Sequence, residues 1–113
     1  MTLLGAAGAA NVVWQIRDTT PSVEAELQNP NGDGLTLPVD GKSVDLPDGT
    51  ELAVECMEMD PNQPGTTFRA YVRTGQHAGD LAVNVPREAL VATSDPYHTN
   101  GVGQDPFAPL PDC

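Results

Sequence analysis

Several short stretches of this chain alternate strictly between apolar and polar residues. In VEAEL at 23–27, for example, Glu24 and Glu26 separate three apolar side chains. An alternation with period two is typical of a β-strand that buries one face and exposes the other. The same pattern predicts further strands in LTLPV at 35–39, ELAVECMEM at 51–59, TFRAYVR at 67–73 and DLAVNVP at 80–86.

Three local departures from regular alternation refine these strands. The apolar phase of ELAVECMEM changes after Cys56, which predicts a β-bulge within residues 56–58. Pro38 lacks a backbone N–H, so its strand is expected at a sheet edge or at a bulge. PREALV at 86–91 predicts one short helical turn at the end of the domain.

Glycine and proline, eleven residues each, interrupt the chain at short intervals, and this leaves little room for a long helix. Turn-forming residues cluster in PDGT at 47–50, DPNQPG at 60–65 and TGQHAGD at 74–80. Strands joined by such short turns pair antiparallel. We therefore predict an all-β fold: a small antiparallel barrel or sandwich with an extended N-terminal segment and a C-terminal arm.

The chain divides into an N-terminal extension at 1–11, a β-barrel domain at 12–93 and an arm at 94–113. The arm is rich in glycine and proline, and we expect it not to form a packed element. Its large apolar side chains are then free to bind a neighbouring subunit. Alternation at Val12, Trp14 and Ile16 predicts a further strand at 12–16, in which Trp14 belongs either to the core or to an interface pocket. The predicted partner-binding residues are Trp14, Tyr97, Phe107 and Leu110.

The stretch DGTELAVECMEMDPNQPGTTFRAYVRTGQHAGDLAVNVPREALV at 48–91 resembles the later part of an SH3-like barrel. DGTELAV is similar to a strand entry of such domains, and GDLAVNVPREALV is similar to their closing strand, short helical turn and final strand. The resemblance implies a small binding or assembly module. Proline-peptide recognition in eukaryotic SH3 domains uses paired aromatics, whereas this chain has TFRAYV at that place, with Tyr71 as the matching aromatic.

Charge and cysteine content restrict the possible partners. Sixteen acidic residues against five Lys and Arg give a net charge of -11, which opposes binding to nucleic acid. Cys56 and Cys113 do not form a zinc spacing or a disulfide framework. Cys56 is predicted to be a small buried apolar residue, and an intermolecular disulfide through Cys113 remains open.

The opening sequence MTLLGAAGAANVVW is apolar but has no basic residue before it and is too short to span a bilayer. It predicts neither a signal peptide nor a membrane anchor. We therefore expect a protein that does not bind membranes and that is located in a virion or in the cytoplasm.

NPNGDGLTLPVD at 29–40 has part of the spacing of an EF-hand calcium loop. The candidate ligands are Asn29, Asn31, Asp33 and Asp40. Against this reading, Leu37 supplies no oxygen at the ninth position, and strands rather than helices flank the loop. The dipeptides Asn-Pro, Asn-Gly and Asp-Gly favour a β-turn instead. We predict a hairpin connection and no metal site.

No pattern typical of catalysis stands out in the remaining sequence. His77 and His98 have no second His, Cys or Glu at ligand spacing, and no serine lies in a nucleophile elbow. We predict a protein that is not an enzyme and that needs no cofactor.

By analogy with small acidic β proteins of tailed phages, the expected role is a structural or assembly subunit of a virion, such as a capsid decoration protein. Such a subunit binds protein neighbours through its arms, with a homo-oligomer as one form. The alternative is a monomeric SH3-like module of a bacterial envelope or regulatory protein, which uses the loops around residues 61–66 and 74–80 to bind a peptide or glycan.

Overall fold

The computed structural model describes residues 21–59, 66–99 and 105–113, and in this part of the chain it is all-β. Seven strands form one antiparallel sheet with the order β3-β2-β6-β5-β4-β1-β7. A short 3-10 helix (Arg87–Ala89) precedes the last strand. The strands are β1 (Val23–Leu27), β2 (Leu35–Val39), β3 (Lys42–Leu46), β4 (Glu51–Glu58), β5 (Thr67–Val72), β6 (Leu81–Pro86) and β7 (Leu90–Ala92).

The structure confirms the five strands predicted from alternation and the short helical turn before β7. Sequence analysis missed β3. Its residues, KSVDL, carry only two large apolar side chains, and three of the five positions are exposed. Asp40 and Gly41 form the two-residue turn that joins β2 to β3, and both have positive φ, 53° and 81°. Asp-Gly is a preferred sequence for such a turn.

The bulge lies close to where it was predicted, but the proline does not. The β4 register shifts between Val54 and Cys56, slightly earlier than expected. Pro38 is not on the edge strand, because β3 lies outside β2. Pro38 lies opposite Ser43 of β3 at a position that is not hydrogen-bonded between these two strands. A backbone N–H at position 38 would therefore point toward β6. The residues that pair between β2 and β6 are Val39 and Ala82, so the proline removes little pairing between these strands.

The core lies where the apolar side chains of the alternating strands meet. In β1 the three inward side chains are almost completely buried. Burying each large apolar side chain contributes roughly 1.5–3 kcal/mol. The largest fully buried side chains are Phe68, Phe107, Leu27, Leu52, Val23, Val39, Val54, Val72 and Val85.

The end of the predicted arm is packed, which corrects the expectation for residues 105–113. This C-terminal segment runs beside the end of β4, where Met57 and Asp112 form a parallel bridge. The Met57 N–H donates to the Pro111 carbonyl at 2.8 Å, and the Cys113 N–H donates to the Met57 carbonyl at 2.9 Å. The predicted strand at 12–16 and the extension at 1–11 lie outside the described residues.

Candidate interaction surfaces

An ion pair and an aromatic contact attach the C-terminal segment to the rest of the fold. Arg87 donates from Nε and Nη2 to the two carboxylate oxygens of Asp105, at 2.9 and 3.0 Å. The same guanidinium lies 4.6 Å from the centroid of the Phe107 ring. Phe107 in turn contacts Phe68, with centroids 5.4 Å apart. Because the pair is bidentate and stacks on an aromatic face, it fixes the direction in which the segment enters the core.

A disulfide joins Cys56 to Cys113 and closes the far end of the same segment. This corrects the expectation for Cys56, which is a half-buried, bonded cysteine rather than a free apolar residue. It also answers the question that the sequence left open for Cys113, which pairs within its own chain. The two residues are 57 positions apart, so their spacing resembled no disulfide framework. An even number of cysteines was the available signal, but two alone do not show that they meet in space.

The predicted partner-binding residues that the structure describes differ in how deeply they are buried. The prediction for Phe107 and Leu110 is corrected, because both side chains are buried in the core of their own chain and are not presented to a neighbour. Tyr97 is partly buried against the core, and its hydroxyl donates to the Pro21 carbonyl at 2.6 Å. Trp14 lies outside the described residues, so its role stays a prediction.

The residues of the calcium motif lie in two separate turns, and this corrects the predicted hairpin connection. The strands on either side of the first turn, β1 and β2, do not pair with each other. The Asn29 carbonyl accepts from the Gly32 N–H at 2.8 Å, and its side-chain oxygen accepts from the Asn31 N–H at 3.2 Å. Asp40 is in the next turn, beyond the five residues of β2. At a strand rise of about 3.3 Å per residue, roughly 16 Å of strand separates the turn that contains Asp33 from Asp40. These residues therefore cannot surround one ion.

An open groove of 620 Å³ runs beside β3. Residues 43–50 form one wall and residues 74–77 the other, and we call it the β3 groove. The Glu51 N–H donates to the Thr74 hydroxyl at 3.0 Å and holds the two walls together at the base. The wall residues include Asp45 and Asp48, and His77 lies 3.7 Å from Asp80. The groove is thus acidic. The loop at 74–80 was a predicted binding loop, but no sequence motif indicated that residues 43–50 lie opposite it.

The bulge in β4 places Glu55 in a second polar cluster with Glu24 and Arg73. Burial raises the pKa of the Glu55 carboxyl, and the neighbouring Glu24 raises it further. A hydrogen bond with Ser22 and the charge of Arg73 oppose this. Burial, followed by the Glu55 charge, also raises the pKa of the Tyr97 hydroxyl. The bulge therefore brings the Glu55 carboxyl group into a partly buried environment beside Glu24 and Arg73.

Comparisons with known proteins give this chain no relatives: no family model, no curated protein and no solved structure matches it. Within residues 21–59, 66–99 and 105–113, no helix is long and apolar enough to cross a membrane. Over the same residues, no group of three or more His, Cys, Asp or Glu side chains is placed to hold a metal ion.

Proposed function

We propose that this protein is a non-catalytic structural subunit of a large assembly, and that the assembly is a virion in which it serves as a capsid decoration or minor structural protein. The observation that carries the proposal is the closure of the C-terminal segment by a disulfide, a bidentate ion pair and a buried aromatic ring. Small domains that must persist outside a cell gain stability from such closures, because their cores alone are modest.

The fold proposed for this subunit is an SH3-like barrel. The succession of β6, the 3-10 helix and β7 supports it, since a closing strand, a short helical turn and a final strand carried the resemblance in the sequence. The barrel is the rigid body of the subunit. Its protein neighbours contact the outer surface, together with Tyr97 and Trp14.

The proposed location is the virion rather than the cytoplasm. Disulfides persist in oxidising surroundings, including virion surfaces, and are rare in the reducing cytosol. The net charge of -11 also keeps an exposed subunit soluble and away from nucleic acid.

The proposed function is tested by fractionating the native source on a density gradient and following the chain with an antibody. We expect the chain to sediment with particles much larger than itself and to stay there after a high-salt wash. Recovery only as a free monomer would overturn the proposal.

The second candidate is a monomeric SH3-like module that binds a peptide or glycan in a bacterial envelope or regulatory protein. The β3 groove favours it, because the groove is open and lies next to an edge strand. The same fractionation of the native source separates the two candidates. The module predicts a monomer that also remains free in the native source, whereas the assembly subunit predicts particle-bound chain there.

A further inference from the structure

Among the described residues, strand β3 is an edge of the sheet, on the side of the β3 groove. In a two-residue hairpin the closing pair, here Val39 and Lys42, is hydrogen-bonded, and every second pair after it is bonded as well. Ser43 and Asp45 occupy the alternate positions. Their backbone N–H and C=O groups therefore point away from β2, toward the free edge, where another strand can pair with them.

Asp45 lies on β3 and Asp48 just after it, and both are exposed, as is Lys42 at the start of the strand. The Asp45 side chain accepts from the Thr36 hydroxyl, and the Asp48 carboxylate accepts from the Asn29 N–H at 3.0 Å. These contacts hold both carboxylates in place but do not neutralise them, because neither donor carries a charge. His77 is the one basic side chain among the residues that line the β3 groove, and it faces Asp80.

We propose that β3 binds an extended, basic segment of a partner protein as an added strand of the sheet. The backbone of the segment pairs with Ser43 and Asp45, and the segment lies along the β3 groove. Side chains of a strand alternate in direction, so Arg or Lys at every second position lies on the same face of the sheet as Asp45, and Asp48 follows beyond the end of β3. Pairing through the backbone supplies affinity, and the charges select a basic sequence.

Charge complementarity favours a basic segment, rather than a second copy of this chain, as the binding partner of β3. The chain carries sixteen acidic and five Lys and Arg residues, so a second copy of this acidic chain would be repelled. A basic segment is attracted from a distance and held by the two fixed carboxylates. The inference rests on the proposed function for its biological setting, since it names the chemistry of the assembly partner.

The probe for the test is the synthetic peptide acetyl-Thr-Arg-Val-Arg-Thr-Arg-Val-amide, titrated into the ¹⁵N-labelled full chain. We expect saturable shifts in the amides of residues 43–50 and 74–77 and slower hydrogen exchange at Ser43 and Asp45. The same peptide with Glu in place of Arg is expected not to bind. Absence of binding by the Arg peptide, shifts on another surface, or equal binding of the Glu peptide would overturn the proposal.

Variants of the chain separate the two parts of the interaction. D45N/D48N keeps the oxygen acceptors for Thr36 and Asn29 but removes both charges, and we expect about tenfold weaker binding. The matched control is D33N, which removes an exposed carboxylate from a turn that does not line the β3 groove. Equal affinities of the double variant and the control would overturn the proposal.

Ser43→Pro removes the outward N–H without breaking the β2–β3 ladder. We expect it to lose binding while its thermal transition stays close to that of the native chain. Unchanged binding by a folded S43P chain would overturn strand addition. Because these measurements use the purified chain, their failure leaves the particle-fractionation result intact, and the reverse also holds.

Discussion

At the scale of single residues, Phe107 connects the C-terminal segment to the hydrophobic core. Its side chain is fully buried, with Phe68 and Arg87 against its ring. We expect Phe107→Ala to lower the free energy of unfolding by about 3–5 kcal/mol, because the substitution leaves a cavity where the ring was. Urea denaturation followed by circular dichroism measures this change.

Val91→Ala is the control for the Phe107 substitution, because Val91 is 49% exposed on β7. We expect it to cost under about 1 kcal/mol. Equal losses for the two variants would mean that Phe107 does not pack in the core, and its role as a partner anchor would then regain support.

Asp105 provides a stabilising effect that depends on pH. The hydrogen bonds from Arg87 lower the pKa of its carboxyl, although partial burial opposes them. A carboxyl whose pKa is lower in the folded state stabilises the fold above its unfolded pKa of about 4, and this contribution disappears as the pH falls through the folded value. Asp105→Asn should therefore lower the melting temperature at pH 7 and have a smaller effect at pH 2. A loss equal at both pH values would contradict an ionic contribution.

Glu55 should show the opposite pH dependence, because burial and Glu24 raise the pKa of its carboxyl. A raised pKa in the folded state means that stability is complete below the unfolded pKa, near 4, and declines as the pH rises through the folded value. Glu55→Gln should therefore raise the melting temperature at pH 7 and change it little at pH 3. Thermal unfolding at the two pH values measures this, and a lower melting temperature at pH 7 would count against the assignment.

At the scale of elements, the turn before β2 depends on a close approach between two backbone segments. Gly34 has a φ of +69°, and a Cβ there would overlap the Leu46 carbonyl oxygen. Gly32 has a similar φ of +76° but nothing within 4 Å of the same position. We expect Gly34→Ala to destabilise the protein clearly more than Gly32→Ala, since both share the backbone strain and only the first adds a clash. Chemical denaturation of the two variants gives the difference, and equal values would exclude the clash as its source.

Elements also show where prediction from the sequence succeeded. Alternation predicted β1, β2, β4, β5 and β6 because each carries its own inward and outward faces in consecutive residues. It missed β3, whose exposed edge position requires few apolar residues. The Asp40–Gly41 dipeptide was a usable signal for that hairpin. The β3 groove could not be predicted, because its walls are 24 or more positions apart in the sequence and meet only in the folded sheet.

At the scale of the whole molecule, the Cys56–Cys113 disulfide closes a loop that contains half of the chain. In the chain-entropy model, a loop of about 57 residues corresponds to about 4 kcal/mol of stabilisation, because the unfolded chain loses freedom. We expect the double variant C56S/C113S to lose a similar free energy of unfolding. The measurement is urea denaturation with and without reductant.

The double variant also provides the control for the reductant. Its unfolding curve should not respond to reductant, whereas the native chain should shift toward the curve of the variant. A native chain whose thiols become titratable without any loss of stability would contradict a stabilising role for the disulfide.

The sequence by itself determined the all-β class, most strands and the turns between them, because alternation and turn chemistry act between residues close along the chain. The tertiary structure alone decided the destination of Phe107 and Leu110, the partner of Cys113 and the position of the β3 groove. Each of these depends on contacts between distant parts of the chain, such as Cys56 with Cys113. An apolar or thiol side chain has the same local pattern whether it meets its own core or a neighbour, so only the folded chain distinguishes the two.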